Sequence, residues 1–494
     1  MASSIWPKSS KARVDRSLSA HSVMGLAISA VMFIICLSGT VAVFEDEIGW
    51  WENPASAAVE TVSPATAQTT ARNVIAAQPG TTHLYLYLPR ENWPRYVAGG
   101  DDGLQTVTPG GELSGEYETP WNDFLIDLHY YLNLPASFGM IVVATFGVML
   151  IAMAISGFLA HPRIFRDAFR FRRKGQARLI QADLHNRLSV WTAPFTIVVA
   201  GTGAMIGLFA VVALVLAQTS FDGDTRALSE AIFGEEPAMD ETPTRLAEVD
   251  AALLNLSVVA PDADPFLVIV HDPGTAGQHV SIYGEHHDRL VYGEMYNFDA
   301  AGNYTGHTGF SDGELGQQIA MSTYRVHFGD FGGLPVKLAY FVFGIALCII
   351  IAAGMNIYFL KRREAGRPMP GFEAAWSALV WGTPALLTLA LLAALVGLPA
   401  VFLGWLFWAG LVAASAACAV RGNAIQSGAL MRIILAVALS LSVIIHAARF
   451  IPSYTNPYIW ITSAGLLGLG VCVLSIKGGA ISVRAPRQAL RPAD

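Results

Sequence analysis

Eight long runs of apolar residues restrict the folds open to this chain, because each run is long enough to cross a lipid bilayer. A membrane-spanning helix needs about 20 apolar residues, and the chain is 53% hydrophobic and only 14% charged. The sequence therefore predicts an α-helical integral membrane protein with about eight transmembrane helices. The runs lie at 23–44, 134–160, 188–217, 334–360, 373–396, 400–419, 429–448 and 457–476.

Lysine and arginine collect on one side of the predicted spans. They precede the first run and lie between or after later runs, at 161–178, 361–367, 421 and 477–491. Cytoplasmic loops of membrane proteins carry an excess of Lys and Arg. If every run crosses once, all these segments share one face. We therefore expect a bacterial inner-membrane protein with both termini in the cytoplasm, and the first run is too long for the apolar core of a cleaved signal peptide.

Two long acidic segments are predicted outside, at 45–125 and 218–326. In each, a helical pattern precedes alternating, strand-like residues. The predicted helices are 66–80 and 244–257, and the predicted strands are 82–89, 265–272, 279–284 and 288–299. Each outer segment is thus predicted to be a small α+β module, and their similar order hints at an internal duplication. The resulting organisation is 1–44 (first span), 45–125 (outer loop), 126–217 (two spans), 218–326 (outer loop), 327–362 (fourth span) and 363–494 (four-span extension).

Histidines at the ends of the first four spans are the strongest chemical signal. His21 and His185 fall at the predicted cytoplasmic face, and His129 and His327 at the outer face. Two neutral imidazoles from separate helices are what a six-coordinate b-type haem requires. The predicted pairs, His21 with His185 and His129 with His327, would hold two haems. A histidine at a helix end is equally a common hydrogen-bonding residue at the membrane interface, so each position has that alternative.

Two further histidines are weaker candidates. His161 adds a third histidine at the cytoplasmic face, and His446 a third at the outer face. His129 and His161 are separated by about 48 Å if the intervening chain is helical, so they cannot share one haem. In the second outer segment, His286 and His287 could bind a metal, but an exposed turn is the simpler interpretation of the pair.

Small residues accompany the histidines. Gly25 lies one turn after His21, and four small pairs lie near the opposite ends of the same helices: Ser38–Gly39, Ser156–Gly157, Thr202–Gly203 and Ala353–Gly354. They could make room for a flat macrocycle, or they could allow two helices to pack closely.

Several other kinds of site find no support in the sequence. All four cysteines lie within apolar runs, at 36, 348, 418 and 472, so no disulfide framework or CxxC pair is predicted. There is no GxGxxG or Walker segment for a nucleotide or flavin, and the net charge of −7 argues against a nucleic-acid partner.

The chain resembles the PepSY-associated transmembrane helix family over about residues 10–365. The resemblance rests on His21 with Gly25 and Ser38–Gly39, LHYYLNLP (128–135) with Gly139, Ser156 and Gly157, DLHNRL (183–188) with Trp191, Pro194 and Thr202–Gly203, and VHFGDFGG (326–333) with Gly344 and Gly354. Members are inner-membrane proteins, often iron-regulated, and some are haem-containing reductases of ferric siderophores. The resemblance implies two haem b groups with axial ligands His21, His185, His129 and His327, and PepSY-like outer modules.

The leading hypothesis is a haem-dependent reductase. Electrons from an unspecified cytoplasmic donor would pass through a haem at His21 and His185 to one at His129 and His327. A ferric siderophore or other metal chelate, bound by the outer modules, would accept them. One alternative is a permease for metal or siderophore, although the apolar runs contain almost no acidic residues. Another is a non-catalytic module that regulates a periplasmic peptidase. The role of residues 363–494 is left open.

Overall fold

The computed structural model describes residues 10–54, 58–90, 93–161, 164, 168–169, 176–233 and 240–476. Most of the basic segment 161–178 and the basic residues after 476 therefore lie outside the described residues. The chain divides into two units. Unit 1 comprises Met1–Val43, Pro120–Ala204 and Leu338–Asp494, and unit 2 comprises Phe44–Thr119 and Met205–Lys337.

The chain is mostly helical and contains two groups of four strands, one group in each predicted outer loop. In chain order the elements are α1 (Lys11–Ala42), α2 (Glu45–Glu52), α3 (Pro64–Ala77), β1 (His83–Tyr87), β2 (Val97–Gly100), β3 (Gly103–Val107), β4 (Leu113–Glu116), α4 (Pro120–Tyr131), α5 (Ala136–Ala160), α6 (Ala177–Trp191), α7 (Ala193–Gly207), α8 (Phe209–Ser220), α9 (Thr225–Phe233), α10 (Val249–Val259), β5 (Asp264–His271), β6 (His279–Glu285), β7 (Glu294–Phe298), β8 (Tyr304–His307), α11 (Leu315–Phe328), α12 (Gly333–Glu364), α13 (Pro370–Leu395), α14 (Ala400–Arg421), α15 (Ala424–Arg449), a 3₁₀ turn (Ile451–Thr455) and α16 (Pro457–Ser475).

Among the described residues, seven helices are long and apolar enough to cross a membrane, or eight if one bent pair counts as a single span. The seven are α1, α5, α12, α13, α14, α15 and α16. The protein is thus a multi-pass membrane protein, as the apolar runs predict.

The prediction of one continuous third span at 188–217 is wrong. The chain forms α6 and α7, bent by 66° where they meet, and then the separate helix α8. Pro194 explains the bend, because proline has no N–H to donate to the carbonyl four residues earlier and its ring crowds that carbonyl. The capping N–H of Thr192 instead bonds to the carbonyl oxygens of Leu188 and Val190.

The second and fourth predicted spans, 134–160 and 334–360, agree with α5 and α12, and a short break separates each of them from the histidine before it. His129 lies on α4, which ends before the span α5, and His327 lies on α11, which ends before the span α12. The first break contains Leu132 and Asn133 with φ of 56° and 55°, and the second begins at Gly329 with φ of 74°. Neither histidine therefore belongs to the spanning helix itself.

The strands of unit 2 form one antiparallel sheet with the order β4-β3-β2-β1-β5-β6-β7-β8. Each outer segment contributes four strands to the sheet and one helix packed on it. The two halves join where β1 pairs with β5, with Leu86 opposite Val268. Buried alanines of α3 and α10, Ala67, Ala71 and Ala252, pack with these strands in one hydrophobic core. The two predicted modules thus share a single sheet, and their matching order agrees with the proposed duplication.

Unit 2 also contains an ionised cluster at the start of α2. Lys337 Nζ lies 3.0 Å from Glu47 Oε1 and 3.5 Å from Asp46 Oδ2. Burial, and then the neighbouring Asp46 carboxylate, raise the pKa of Glu45 to about 7. The folded chain therefore binds one more proton than the unfolded chain between the ordinary glutamate pKa and about 7, so this group's stabilisation is lost as pH rises through that window.

Glu45→Gln is therefore expected to stabilise the protein at pH 8 relative to the wild type, on the order of 2 kcal/mol, and to flatten the pH dependence between pH 5 and pH 8. Thermal unfolding midpoints of the detergent-purified protein measure this. Glu60→Gln, at an exposed position, is the control and should leave the dependence unchanged. Equal pH dependence in the wild type and Glu45→Gln would contradict the assignment.

Candidate functional site

The structure brings His21 and His185 together in unit 1. His21 lies in the third turn of α1 and His185 lies on α6. Their ring centres are 6.0 Å apart, and the ring planes are nearly perpendicular, at 79°. These two imidazoles from separate helices thus face the same small region.

A backbone carbonyl from a further helix orients each of these rings, from α5 for His21 and from α12 for His185. The Nδ1 atom of His21 lies 3.1 Å from the carbonyl oxygen of Met153, and that of His185 lies 2.9 Å from the carbonyl oxygen of Ile350. A carbonyl only accepts hydrogen bonds, so Nδ1 carries the proton in both neutral rings. Nε2 is then the nitrogen that bears the lone pair, which is the atom able to ligate a metal.

His129 repeats this arrangement at the other end of α1. Its Nδ1 lies 3.1 Å from the carbonyl oxygen of Ile35 and 3.4 Å from Ser38 Oγ. The same argument places the proton on Nδ1 and the lone pair on Nε2. The Nε2 atom of His129 is therefore the one able to ligate a metal, like those of His21 and His185. His129 itself lies on the short helix α4.

A glycine receives each of the three rings, always four residues after the bonded carbonyl. A Cβ at Gly157 would lie 3.2 Å from Cε1 of His21, and one at Gly354 would lie 3.3 Å from Cε1 of His185. At Gly39 it would clash outright with Cε1 of His129 and lie 2.9 Å from Nδ1. We call each glycine, with the carbonyl four residues before it, a histidine seat.

The seats change the interpretation of the small residues. The pairs at 38–39, 156–157 and 353–354 admit imidazole rings from neighbouring helices, whereas the sequence suggested room for a macrocycle or close helix packing. Gly25 is not a seat, because a Cβ there would meet the terminal methyl of Met153 at 3.2 Å. The signal visible in the sequence was the repeated small-residue–glycine pair, but the partner of each pair was not.

Serine completes two of the three seats. Ser38 Oγ and Ser156 Oγ each donate to the same carbonyl that the histidine uses, at 3.1 Å. With its hydrogen used in this way, Ser156 Oγ can accept from Nδ1 of His21, 3.2 Å away. The third seat has Ala353 at the corresponding position.

The other predicted histidines are placed differently. His327 belongs to unit 2, at the last turn of α11, with its ring centre 5.8 Å from that of Phe328; its pairing with His129 stays a prediction. His161 caps the end of α5. His446 is fully buried in α15, and its Nδ1 lies 2.9 Å from the hydroxyl of Tyr454. That environment is the one expected for a structural histidine.

The inner pair passes a simple fit test for a shared metal. A metal–imidazole bond is about 2 Å long and the ring centre lies about 1 Å further, so two axial rings on one iron have centres about 6 Å apart. His21 and His185 match this spacing. No group of three or more His, Cys, Asp or Glu side chains is arranged to hold a metal ion in the described part of the chain, and a bis-imidazole iron needs only two.

Sequence reasoning missed a row of histidines in unit 2. Strand register places His83, His271 and His279 opposite one another on β1, β5 and β6. The ring centres are 5.2 Å and 4.3 Å apart, and the His271 and His279 rings stack in parallel. Burial, followed by the two neighbouring imidazoles, lowers the pKa of His271 to about 4. The His83 ring is nearly perpendicular to that of His271, with an interplanar angle of 76°, so only His271 and His279 lie face to face.

The His286–His287 pair also bonds to protein groups. His286 Nε2 lies 2.9 Å from the hydroxyl of Tyr296, and His287 Nε2 lies 2.6 Å from Asp264 Oδ2 at an exposed position. This agrees with the simpler interpretation of an exposed turn.

Comparison with known proteins gives one family and one relative. The model of the PepSY-associated TM region matches residues 18–362, a range that includes all three seats and His327. The uncharacterized protein PA4219 of Pseudomonas aeruginosa is 26% identical over 262 residues, which cover 50% of this chain and 65% of that protein.

Proposed function

The chain belongs to the PepSY-associated transmembrane family, and on this basis we propose that it is an inner-membrane oxidoreductase that delivers electrons to a ferric chelate outside. His21 and His185 would be the axial ligands of one b-type haem, and His129 and His327 those of a second. Bound haem would supply reversible one-electron redox chemistry. Both termini would lie in the cytoplasm, where the electron donor binds.

The three histidine seats are the observation that carries this proposal. A metal-ligating histidine almost always donates its other ring N–H to a carbonyl or carboxylate, which fixes the tautomer and the ring orientation. His21, His129 and His185 all do so, each to a carbonyl on a neighbouring helix. An interfacial histidine in a purely hydrogen-bonding role has no need of this repeated geometry.

The seats also lie where transmembrane electron transfer would require them. His21 and Gly39 are 18 residues apart on the continuous helix α1, a rise of about 27 Å, close to the thickness of the hydrocarbon core. Gly39 receives His129, whereas His21 faces His185. His129 and the His21–His185 pair therefore lie at opposite ends of α1.

The chain's own groups prepare these sites before any ligand binds. The carbonyls of residues 35, 153 and 350 hold the imidazoles in the neutral Nδ1–H form, so no proton need leave Nε2 for a metal to bind. The glycines let the rings approach the neighbouring backbone. Unit 2 would present the ferric chelate; hard-oxygen chelators hold ferric iron far more tightly than ferrous iron, so its reduction promotes release.

A visible spectrum of the purified protein tests the proposal. We expect a Soret band, and reduced α and β bands of a bis-histidine b-type haem, with about two haems per chain by pyridine haemochrome. Dithionite-reduced protein should be reoxidised by a ferric hydroxamate chelate, with ferrous iron trapped by ferrozine. A protein that carries no haem after expression with 5-aminolaevulinate would refute the proposal and favour a permease or a peptidase-regulating module.

A further inference from the structure

The turn between α4 and α5 adopts a costly backbone conformation. Leu132 and Asn133 both have positive φ, 56° and 55°. Asparagine tolerates the left-handed region, but a leucine there is unusual, and such residues cost on the order of 1–3 kcal/mol each unless neighbours hold them. His129 lies one helical turn before Asn133, so the conformation of this turn determines how α4 presents His129.

A tryptophan of the C-terminal extension holds this turn. Trp408 Nε1 on α14 donates to Asn133 Oδ1 at 3.1 Å, and the N–H of Asn133 donates to the carbonyl oxygen of Asp127 at 3.2 Å. Gly404, one turn before Trp408, lies beside the same side chain, because a Cβ there would be in ordinary van der Waals contact with Asn133 Cγ, at 3.7 Å. The side chain of Asn133 is thus fixed from α14 and its backbone from α4.

The other end of α4 is held by the same extension. Trp121 is buried, and its Nε1 donates to the carbonyl oxygen of Leu387 on α13 at 2.8 Å. Between the two bonds, the rings of Phe124 and Phe407 pack with centres 5.9 Å apart. All these residues belong to unit 1, and together they attach both ends of the 12-residue helix α4 to α13 and α14.

We propose that α13 and α14 position α4, with Trp408 as the positioning residue that keeps the imidazole of His129 in the Gly39 seat. This gives a role to part of the extension 363–494. The identity of the group that His129 ligates rests on the proposed function, but the positioning does not.

The test measures how fast diethyl pyrocarbonate modifies His129 in the haem-free full-length protein, since a ligated Nε2 does not react, with His21 in the same molecule as internal reference. Trp408→Phe keeps an aromatic ring but removes the donor. It is expected to raise the rate at His129 about five-fold, the factor that corresponds to about 1 kcal/mol for one hydrogen bond. The matched control is Trp405→Phe, one turn earlier on α14 and 72% exposed, which should leave the rate unchanged.

Asn133→Gly provides the second arm. Glycine adopts positive φ without steric cost but has no side chain for Trp408 to bind. In this background, Trp408→Phe should change the rate at His129 by less than about two-fold, because the two substitutions remove one interaction. Three results would each overturn the positioning role: an unchanged rate at His129 in Trp408→Phe, an equal increase of the rate at His21, or a full five-fold effect of Trp408→Phe in the Asn133→Gly background.

These outcomes are separable from failure of the proposed function. A wild-type protein without a Soret band would refute haem binding, yet the ratio of His129 to His21 modification would still report whether Trp408 positions α4. If haem is present, Trp408→Phe should also shift the spectrum and midpoint potential of one haem only.

Discussion

His185→Ala is expected to remove one of two haems and to stop the transfer of electrons from the inner face to the external ferric chelate. The ring centres of His185 and His21 are 6.0 Å apart. If both are the proposed axial ligands, the loss of His185 removes one of them, and a bis-histidine b haem needs both. Haem content should fall to about half by pyridine haemochrome, with the remaining spectrum still that of a bis-histidine site. After reduction by dithionite, the remaining haem should still be reoxidised by the ferric chelate, with ferrous iron trapped by ferrozine. Electron delivery from the inner face should stop.

The His21→Ala/His185→Ala double variant sharpens this test. Residues that act as one unit show non-additive effects, so the double variant should retain the same half of the haem as either single variant. Loss of all haem in the double variant would mean that the two histidines serve different sites. His287→Ala, at an exposed position 71% accessible to solvent, should retain the full haem content.

Gly39→Ala is expected to have the second largest effect, through overpacking of the outer seat. The added methyl group would clash with Cε1 of His129 and lie 2.9 Å and 3.0 Å from its ring nitrogens. A ring pressed between two helices cannot move aside freely, so we expect a stability loss of about 1–3 kcal/mol and displacement of His129 from the Ile35 carbonyl. Loss of the outer haem, equal to that of His129→Ala, should accompany it.

Two variants separate this clash from a general intolerance of side chains in α1. Gly25→Ala is the matched control on the same helix, because its Cβ would meet only the flexible end of Met153; its thermal midpoint and haem content should stay near the wild-type values. In the His129→Ala background, Gly39→Ala should no longer lower the thermal midpoint, because the ring that it strikes is absent. A decrease as large as in the wild type would show that the glycine serves another purpose.

Hydropathy predicted most of the membrane spans because a helix needs about 20 consecutive apolar residues to cross the hydrocarbon core of a bilayer. It failed at 188–217, where composition stays apolar but Pro194 cannot support a continuous helix. It left His129 and His327 just outside the runs at 134–160 and 334–360, as the structure has them, but the left-handed turn at Leu132–Asn133 leaves no strong mark in the sequence. Backbone hydrogen bonding, not hydrophobicity, determined the break in the third span.

The candidate site was only partly accessible from the sequence. Topology alone suggested that His21 and His185 share a face, and the structure places their rings together. The seats depend on which helix packs against which. The contacts of Gly39 with His129 and of Gly354 with His185 therefore cannot be read from the sequence. The row of His83, His271 and His279 was missed for a similar reason, because it depends on the pairing of β1 with β5 across the two outer segments.

The shared sheet of unit 2 has a consequence for biogenesis. Strand β1 lies in the middle of the finished sheet, but in the first half alone it is an unpaired edge, open to pairing with other chains. Its partner β5 emerges only after α4 to α10 have been synthesised. The sheet of the nascent protein therefore stays incomplete while the central spans are inserted into the membrane. The β1–β5 pair can form only after the segment between these strands has been synthesised. Arrest of translation before β5 should leave the first half sensitive to proteases and chaperone-bound.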